Sequence, residues 1–259
     1  PKAEEEDPEP FTKEQMRLLL DRCSNHAKLK YMVQKDTGCR IGELVQLRKS
    51  DIDIKKTPIE IKIQASYVKT RKARIVFVTR ETAPMLKRLL NKKQDNELVF
   101  GTNEDEYVAT GTEKTLFAYY RKELAKDYPE FGEIYQSNGR HKKTIHSIRS
   151  YCATQCSEAI DESWGHGYIG HKKYLGQYIR NQDKQSEMFL RSENSLMVYE
   201  HVEVVDSDER VGKLELENQE IKKAMNELSK IHESLALLKE DKIKQELEIE
   251  NLKKQLIYH

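Results

Sequence analysis

The spacing of apolar residues predicts a series of helices through roughly the first three quarters of the chain. Thr12 and Gln15 have the types and spacing of a capping box, and Met16, Leu19 and Leu20 follow on one face of the helix they would begin. Further helical patterns cover residues 28–37, 41–48, 82–91, 112–126, 144–158 and 175–190. We therefore expect a mostly helical domain that begins near residue 11.

Two short segments show the alternation that is typical of β-strands. Residues 59–63, Ile-Glu-Ile-Lys-Ile, alternate apolar and polar side chains, and residues 73–79 are rich in strand-forming residues. A basic turn separates the two segments, with Lys69 near its bend, so the sequence predicts a hairpin or small sheet. The predicted fold class is mainly α with a small antiparallel β-sheet, an α+β domain.

Beyond about residue 210 the pattern becomes a seven-residue repeat. One register contains Leu214, Ile221, Leu228, Leu235, Ile249 and Leu256, and the companion register contains Ala224, Ile231, Leu238 and Leu252. Such a repeat is typical of a coiled coil, although Lys242 and Gln245 interrupt the seam. We predict a C-terminal coiled-coil helix over residues 208–259 that self-associates; a long helix packed back on its own domain is the alternative.

The two ends of the chain differ in charge from its middle. Residues 1–10 contain three prolines and five acidic side chains and cannot bury a core, so we interpret them as a linker before a domain at 11–205. The formal net charge is +1, but residues 11–200 carry 34 Lys and Arg against 25 Asp and Glu. This excess suits a polyanion such as duplex DNA, and it equally suits an ordinary soluble domain.

Composition argues against several other classes of protein. The four cysteines lack the paired spacing of a metal site, and no apolar run is long enough to cross a bilayer. The sequence also shows no signal peptide. We expect a cytoplasmic protein of prokaryotic or viral origin, with no metal, no cofactor and no membrane partner.

Four separated motifs carry side chains that suit chemistry on a phosphodiester. They place Arg40 in Thr-Gly-Cys-Arg-Ile-Gly-Glu-Leu, Lys69 in the basic turn, His146 and Arg149 in His-Ser-Ile-Arg, and His171 after Gly170. Arginine forks bind phosphate while staying charged, an imidazole can act as acid or base, and a turn lysine can protonate a departing oxygen. Each motif alone is weak, but four in this order are hard to obtain by accident.

In combination, these motifs resemble the catalytic domain of the tyrosine recombinase (phage integrase) superfamily over about residues 11–200. The resemblance implies a site-specific DNA recombinase or integrase that cleaves and rejoins strands through a 3′-phosphotyrosine intermediate, without metal or ATP. It assigns phosphate binding to Arg40 and Arg149, general acid to Lys69, acid/base chemistry to His146, and a hydrogen bond to the phosphate to His171. It also implies duplex DNA as partner and a homo-oligomer, a synaptic tetramer on DNA.

The nucleophile is where this chain departs from the family pattern. The family usually places its tyrosine about two and a half helical turns after the Gly-His pair, but position 180 is an arginine. Tyr178 is our preferred nucleophile, because a slightly shortened helix reaches it with least distortion. Tyr174 and Tyr199 are the alternatives.

Neighbouring residues receive supporting roles. We expect Glu43 to support Arg40, and His166, in a second Gly-His pair, to be structural. Trp164 is expected to be an apolar anchor, and the remaining basic residues of the turn, Arg71, Lys72 and Arg74, to contact the DNA backbone.

Three other functions remain open at this stage. A type IB topoisomerase-like strand transferase would share the same chemistry, and a cleavage-deficient DNA-binding relative is possible because the tyrosine is displaced. A coiled-coil scaffold is the third, but it leaves the ordered motifs unexplained. The family's usual N-terminal core-binding domain has no counterpart before the linker, so we expect the chain to be a fragment of a longer protein.

Overall fold

Cap residues determine where the helices of the domain begin. The structure is a computed structural model that describes residues 8–68, 71–171, 173–174 and 182–199. Its α-helices are α1 Lys13–Arg22, α2 Asn25–Thr37, α3 Ile41–Val45, α4 Ala83–Leu90, α5 Glu106–Leu124, α6 Ile145–Ala159, α7 Glu162–Tyr168 and α8 Gln182–Leu196. Thr12 and Gln15 form the predicted capping box at the start of α1.

Three short strands form one antiparallel sheet in the order β1-β2-β3. The strands are β1 Ile52–Asp53, β2 Ile59–Ile63 and β3 Arg74–Val78. In the β2–β3 pair, Ile61 lies opposite Val76 and Ile63 opposite Arg74. The side chains of Ile59, Ile61 and Ile63 are buried, so the alternation in the sequence correctly identified the face that joins the core.

Helix α2 forms the centre of the domain. It is buried on every side from Leu29 to Thr37 and is packed against α1, α6 and β3. Helix α6 in turn packs against α7 and α8, and α3 packs against α5. These contacts bring the α2–α3 junction, α6 and the turn after α7 to one place in the fold, where the candidate site is found.

Some helices begin or end at residues other than the predicted ones, and local hydrogen bonds accompany these differences. Helix α5 begins at Glu106 rather than 112, because the Asp105 side chain accepts hydrogen bonds from the backbone N–H groups of Tyr107 and Val108. Helix α3 ends at Val45 rather than 48, and Arg48 instead forms an isolated β-bridge with Leu98.

The fold class, mostly helical with a small antiparallel sheet, is confirmed. The predicted coiled coil at 208–259 and residues 1–7 of the predicted linker lie outside the described residues. Across the part of the chain that the structure describes, no helix combines the length and apolar character needed to cross a membrane.

Candidate active site

The turn between α2 and α3 positions Arg40. Gly38 ends α2 in the left-handed conformation, with a φ of 59°. A Cβ at this position would lie 2.3 Å from Cγ2 of Ile169, so both the conformation and the close packing favour glycine. Arg40 follows as the residue that caps α3, and its side chain remains 39% exposed.

Glu43 holds Arg40 in place. Its carboxylate accepts hydrogen bonds from the Arg40 backbone N–H at 3.0 Å and from Nη1 of the same residue at 3.1 Å. The expected contact between Glu43 and Arg40 is therefore present. Although burial opposes ionisation, the charge and hydrogen bond of Arg74, the charge of Arg149 and the hydrogen bond from the Arg40 backbone lower the pKa of Glu43 below its ordinary value.

Helix α6 carries His146, whose side chain is exposed, in its first turn and Arg149 in the interior. The Thr144 side chain caps the helix by accepting from the His146 backbone N–H. Arg149 is only 1% exposed, and its Nη1 donates to the Gly38 carbonyl oxygen at 2.6 Å. Its Nε and Nη2 are buried and have no hydrogen-bond partner among the described residues. Two donor nitrogens, with three N–H groups between them, are thus left for a ligand.

The charge state of Arg149 reflects its surroundings. Burial, together with the nearby charges of Arg40 and Arg74, lowers the pKa of Arg149 to about 9. The guanidinium is still a cation at neutral pH, since this pKa lies above 7. An anion placed among these arginines would relieve the repulsion that lowers the pKa.

Arg74 is a residue whose role the sequence analysis assigned wrongly. We expected it to contact the DNA backbone, but its side chain is 1% exposed and Nη2 donates to Oε2 of Glu43 at 2.7 Å. The missed signal is the alternation of β3, which places Arg74 on the same inward face as Val76 and Val78. Glu43 therefore holds two arginines, one of them exposed and one internal.

Gly170 brings the His171 turn against Arg74. Its φ is 87°, a conformation that favours glycine, and a Cβ there would lie 3.2 Å from Nε of Arg74. The turn is closed by a hydrogen bond from the His171 backbone N–H to the His166 carbonyl oxygen, at 2.9 Å. The β-hairpin, α3 and the Gly170–His171 turn thus meet at the Arg74 side chain.

His171 is a neutral imidazole at physiological pH. Burial is the main reason that its pKa falls to about 4, and the charges of Arg149, His166, Arg40 and His146 lower it further. The ring lies close enough to Arg40 and Arg149 for their charges to act on it. A neutral ring can donate one hydrogen bond and accept another.

We call Arg40, Arg74, Arg149 and Glu43 the arginine cluster. It contains three guanidinium groups and one carboxylate, and His171 beside it adds no charge at neutral pH. The cluster therefore has an excess of positive charge within a partly buried region. Such an arrangement can bind a phosphate group and stabilise negative charge that develops on it.

The remaining sequence-predicted residues fall in different places. Lys69 and Tyr178 lie outside the described residues. The Tyr174 ring stacks on His166 with centroids 5.4 Å apart. Tyr199 is directed elsewhere, because its hydroxyl donates to Asp21 at 2.5 Å and the Lys28 ammonium lies 4.6 Å from its ring centroid.

Trp164 is buried, and its ring centroid lies 5.2 Å from that of Tyr168. This packing agrees with the apolar anchor that the sequence analysis expected.

Comparisons with known proteins identify the family of this chain. The model of the phage integrase family matches residues 9–184, and the chain belongs to this family, with the fold of a tyrosine recombinase catalytic domain. It is 26% identical over 191 residues to transposase A from transposon Tn554 of Staphylococcus aureus, an alignment that covers 67% of this chain and 49% of that protein. The chain therefore spans about half the length of the curated relatives it matches.

Solved structures show the same fold at low sequence identity. An integrase from mycobacterium phage Brujita matches with a TM-score of 0.53 and 13% identity, over 80% of this chain and 64% of that one. An integrase of the Tn1549 transposon, solved in complex with circular intermediate DNA, matches with a TM-score of 0.50 and 16% identity, over 82% and 68% of the two chains.

Proposed function

We propose that this chain is the catalytic part of a site-specific DNA recombinase that cleaves and rejoins strands through a 3′-phosphotyrosine. The observation that carries the proposal is the buried Arg149, whose Nε and Nη2 have no hydrogen-bond partner in the described part of the chain. A buried cation with two free donors, next to the half-exposed Arg40, suits one phosphate of a DNA backbone.

In the proposed reaction Arg40, Arg149 and His171 stabilise the transition state. Arg40 and Arg149 bind the non-bridging oxygens, and His171 donates a hydrogen bond to one of them. Negative charge grows on these oxygens as the phosphorus becomes five-coordinate, so preorganised donors act most strongly at that point. One such donor typically contributes a factor of about 10²–10³ in rate.

The covalent step exchanges one phosphoester for another. The Tyr178 hydroxyl attacks the phosphorus and His146 accepts its proton, while the bond to the 5′ oxygen breaks and Lys69 protonates that oxygen. Attack by the 5′ hydroxyl of another strand reverses the step. The roles of Tyr178 and Lys69 rest on the sequence pattern, and Tyr174 is the alternative nucleophile.

The proposal includes partners and assembly. Duplex DNA is the proposed substrate, in line with the Tn1549 integrase that was solved with circular intermediate DNA. We assign the catalytic domain to residues 11–205, the linker to 1–10 and a self-associating coiled coil to 208–259, with a synaptic tetramer on DNA as the working assembly. We place the activity in the cytoplasm, with association with the nucleoid when the protein is on DNA, for a protein of prokaryotic or viral origin.

A trapping experiment tests the proposed chemistry. A pool of nicked duplexes with randomised sequence would release a short strand after cleavage and so hold the covalent adduct. We expect a protein–DNA adduct without added metal, a phosphotyrosyl peptide that contains Tyr178, and loss of the adduct in Tyr178→Phe. Tyr199→Phe is the matched control and should trap normally, since its hydroxyl is bound to Asp21. Loss of trapping in Tyr174→Phe, with retention in Tyr178→Phe, would transfer the nucleophile to Tyr174.

A further inference from the structure

Two histidine rings meet nitrogen to nitrogen beside the arginine cluster. Nδ1 of His166 and Nδ1 of His171 are 2.9 Å apart, and the ring planes differ by 20°. The ring centroids are 4.9 Å apart, so the two nitrogens lie near the line that joins the ring centres. This is the geometry of a hydrogen bond in the plane of both rings, and not of one ring face resting on another.

The backbone imposes this meeting. The His171 N–H donates to the His166 carbonyl oxygen at 2.9 Å, which closes the turn and fixes the two residues relative to each other. The His166 ring also contacts the Tyr174 ring, at a centroid distance of 5.4 Å and an angle of 19°. Neither ring is therefore placed by chance rotation of a free side chain.

A hydrogen bond between two imidazole nitrogens requires one N–H and one lone pair. A neutral imidazole has a single N–H, so the direction of this bond determines which nitrogen of His171 is protonated. If Nδ1 of His171 accepts, its proton must be on Nε2. Nε2 points away from His166. Among the described residues, the charged or titratable groups that act on the ring include Arg40 at the start of α3, His146 and Arg149 on α6, and His166 on α7.

We propose that His166 donates its Nδ1 proton to Nδ1 of His171 when DNA is bound, and so holds His171 as the tautomer that carries its proton on Nε2. That proton is the one His171 donates to a non-bridging oxygen of the phosphate. His166 is therefore a positioning residue that acts through His171, and this inference rests on the proposed function.

The phosphate itself favours this direction. With no anion present, the charges of Arg40 and Arg149 favour a lone pair on Nε2. A phosphate oxygen reverses the preference, because a lone pair facing it would be repelled while an N–H would form a hydrogen bond. The hydrogen bond between the two Nδ1 atoms lets His171 carry its proton on Nε2 and donate it to the phosphate without adding a charge to the site.

Nitrogen NMR of the protein labelled at histidine, bound to a short duplex, tests the tautomer directly. We expect His171 to have a protonated Nε2 and an unprotonated Nδ1 in the complex. His166→Phe keeps an aromatic ring against Tyr174 but removes the donor, so His171 should become a mixture of tautomers. His166→Asn restores a donor near the position of Nδ1 and should restore the single tautomer. His26→Phe, at an exposed histidine of α2, is the matched control.

The rate of adduct formation gives the second readout. We expect His166→Phe to slow trapping on nicked duplexes by about fivefold to tenfold, the value of one neutral hydrogen bond, with unchanged affinity for duplex DNA and with rescue by His166→Asn. A wild-type complex with the proton on Nδ1 of His171 would overturn the inference, as would a His166→Phe variant with the wild-type tautomer and rate. Absence of any adduct in the wild type would refute the proposed function, while the NMR result would still test the tautomer.

Discussion

Two of the buried groups of charged side chains in the described part of the domain have unequal numbers of positive and negative charges, and they differ in how that inequality can be relieved. We call Lys35, Asp36 and Glu81 the anchor cluster; its side chains are buried, and it sets one ammonium against two carboxylates. The Lys35 ammonium lies 2.6 Å from Asp36 and donates to the Leu196 carbonyl oxygen at 3.1 Å. The Glu81 carboxylate accepts from the Val198 backbone N–H at 2.9 Å, so the cluster holds the end of α8.

The anchor cluster can relieve its excess of negative charge if Glu81 binds a proton. Burial, followed by the charge of Asp36, raises the pKa of Glu81 above its ordinary value despite the opposing effect of Lys35. The arginine cluster has no such means, because Arg149 stays charged even with its pKa lowered to about 9. The difference between the two clusters is that the arginine cluster keeps its positive charge at neutral pH, and a bound anion would balance that charge.

Breaking the anchor cluster should give the largest effect on folding. Lys35→Met leaves two buried carboxylates without their cation, and we expect unfolding free energy to fall by about 3–5 kcal/mol. Urea denaturation measures this loss. Lys87→Met, at an exposed position of α4, is the control and should change stability by less than about 0.5 kcal/mol. Equal stability of the two variants would mean that the anchor cluster does not hold the fold.

Removing Arg149 should slow the reaction strongly and change the stability of the fold little, in contrast to Lys35→Met. We expect Arg149→Met to lower the rate of adduct formation by about 10²–10³-fold, because two donors to the phosphate are lost. Its unfolding free energy should stay within about 1 kcal/mol of the wild type, since a buried charge with unpartnered N–H groups is removed along with its one bond to Gly38. A variant that unfolds as readily as Lys35→Met would show that both clusters are structural.

Removing the Arg74 guanidinium should slow adduct formation, but by less than removing Arg149. In Arg74→Met, Glu43 is no longer shared and binds Arg40 alone, which draws Arg40 away from a phosphate. We expect trapping to slow by about tenfold, the rate equivalent of one charge-assisted hydrogen bond, with duplex affinity little changed. Arg74→Lys should recover part of the rate. A wild-type rate in Arg74→Met would show that Glu43 positions Arg40 without help.

The smallest effects are opposite slopes of stability with pH. Glu81 has a raised folded pKa, so its contribution is present below 4.5 and is lost as pH rises through the folded value. His171 has a lowered folded pKa, so its contribution is present above 6.5 and is lost as pH falls toward about 4. Thermal or urea unfolding across this pH range measures both effects. Glu81→Gln should lose the decrease in stability as pH rises, and His171→Asn should lose the decrease in stability as pH falls. Parallel profiles in the two variants would contradict the comparison.

The sequence predicted the parts of this molecule that depend on local spacing. The capping box at Thr12 and the buried alternation of β2 follow from patterns a few residues long. The neighbourhood of Arg40, Arg149 and His171 was implied by the family resemblance and not by local spacing. The start of α5 was missed because a single cap, Asp105, outweighed the apolar spacing.

Contacts between distant segments were not predictable in the same way. Glu43 contacts Arg74 across 31 positions and Lys35 contacts Leu196 across 161. The periodicity of a single helix or strand cannot predict contacts over such separations. The burial of Arg74 could have been inferred from the inward face of β3, but its partner could not. His166 was assigned a structural role because the spacing from Arg149 to His171 resembles the family better. Its contact with His171 could not be inferred, since it depends on the turn at Gly170 and on the packing of that turn against Arg74.

The most direct measurement compares covalent trapping by the wild type and Arg149→Met on the same pool of nicked duplexes, with the attached residue identified by mass spectrometry. Our account predicts a phosphotyrosine adduct in the wild type and its near-complete loss in Arg149→Met, in a protein that remains folded. Equal trapping by the two proteins, or DNA attached to a residue other than a tyrosine, would contradict the claim that the arginine cluster binds the phosphate being cleaved.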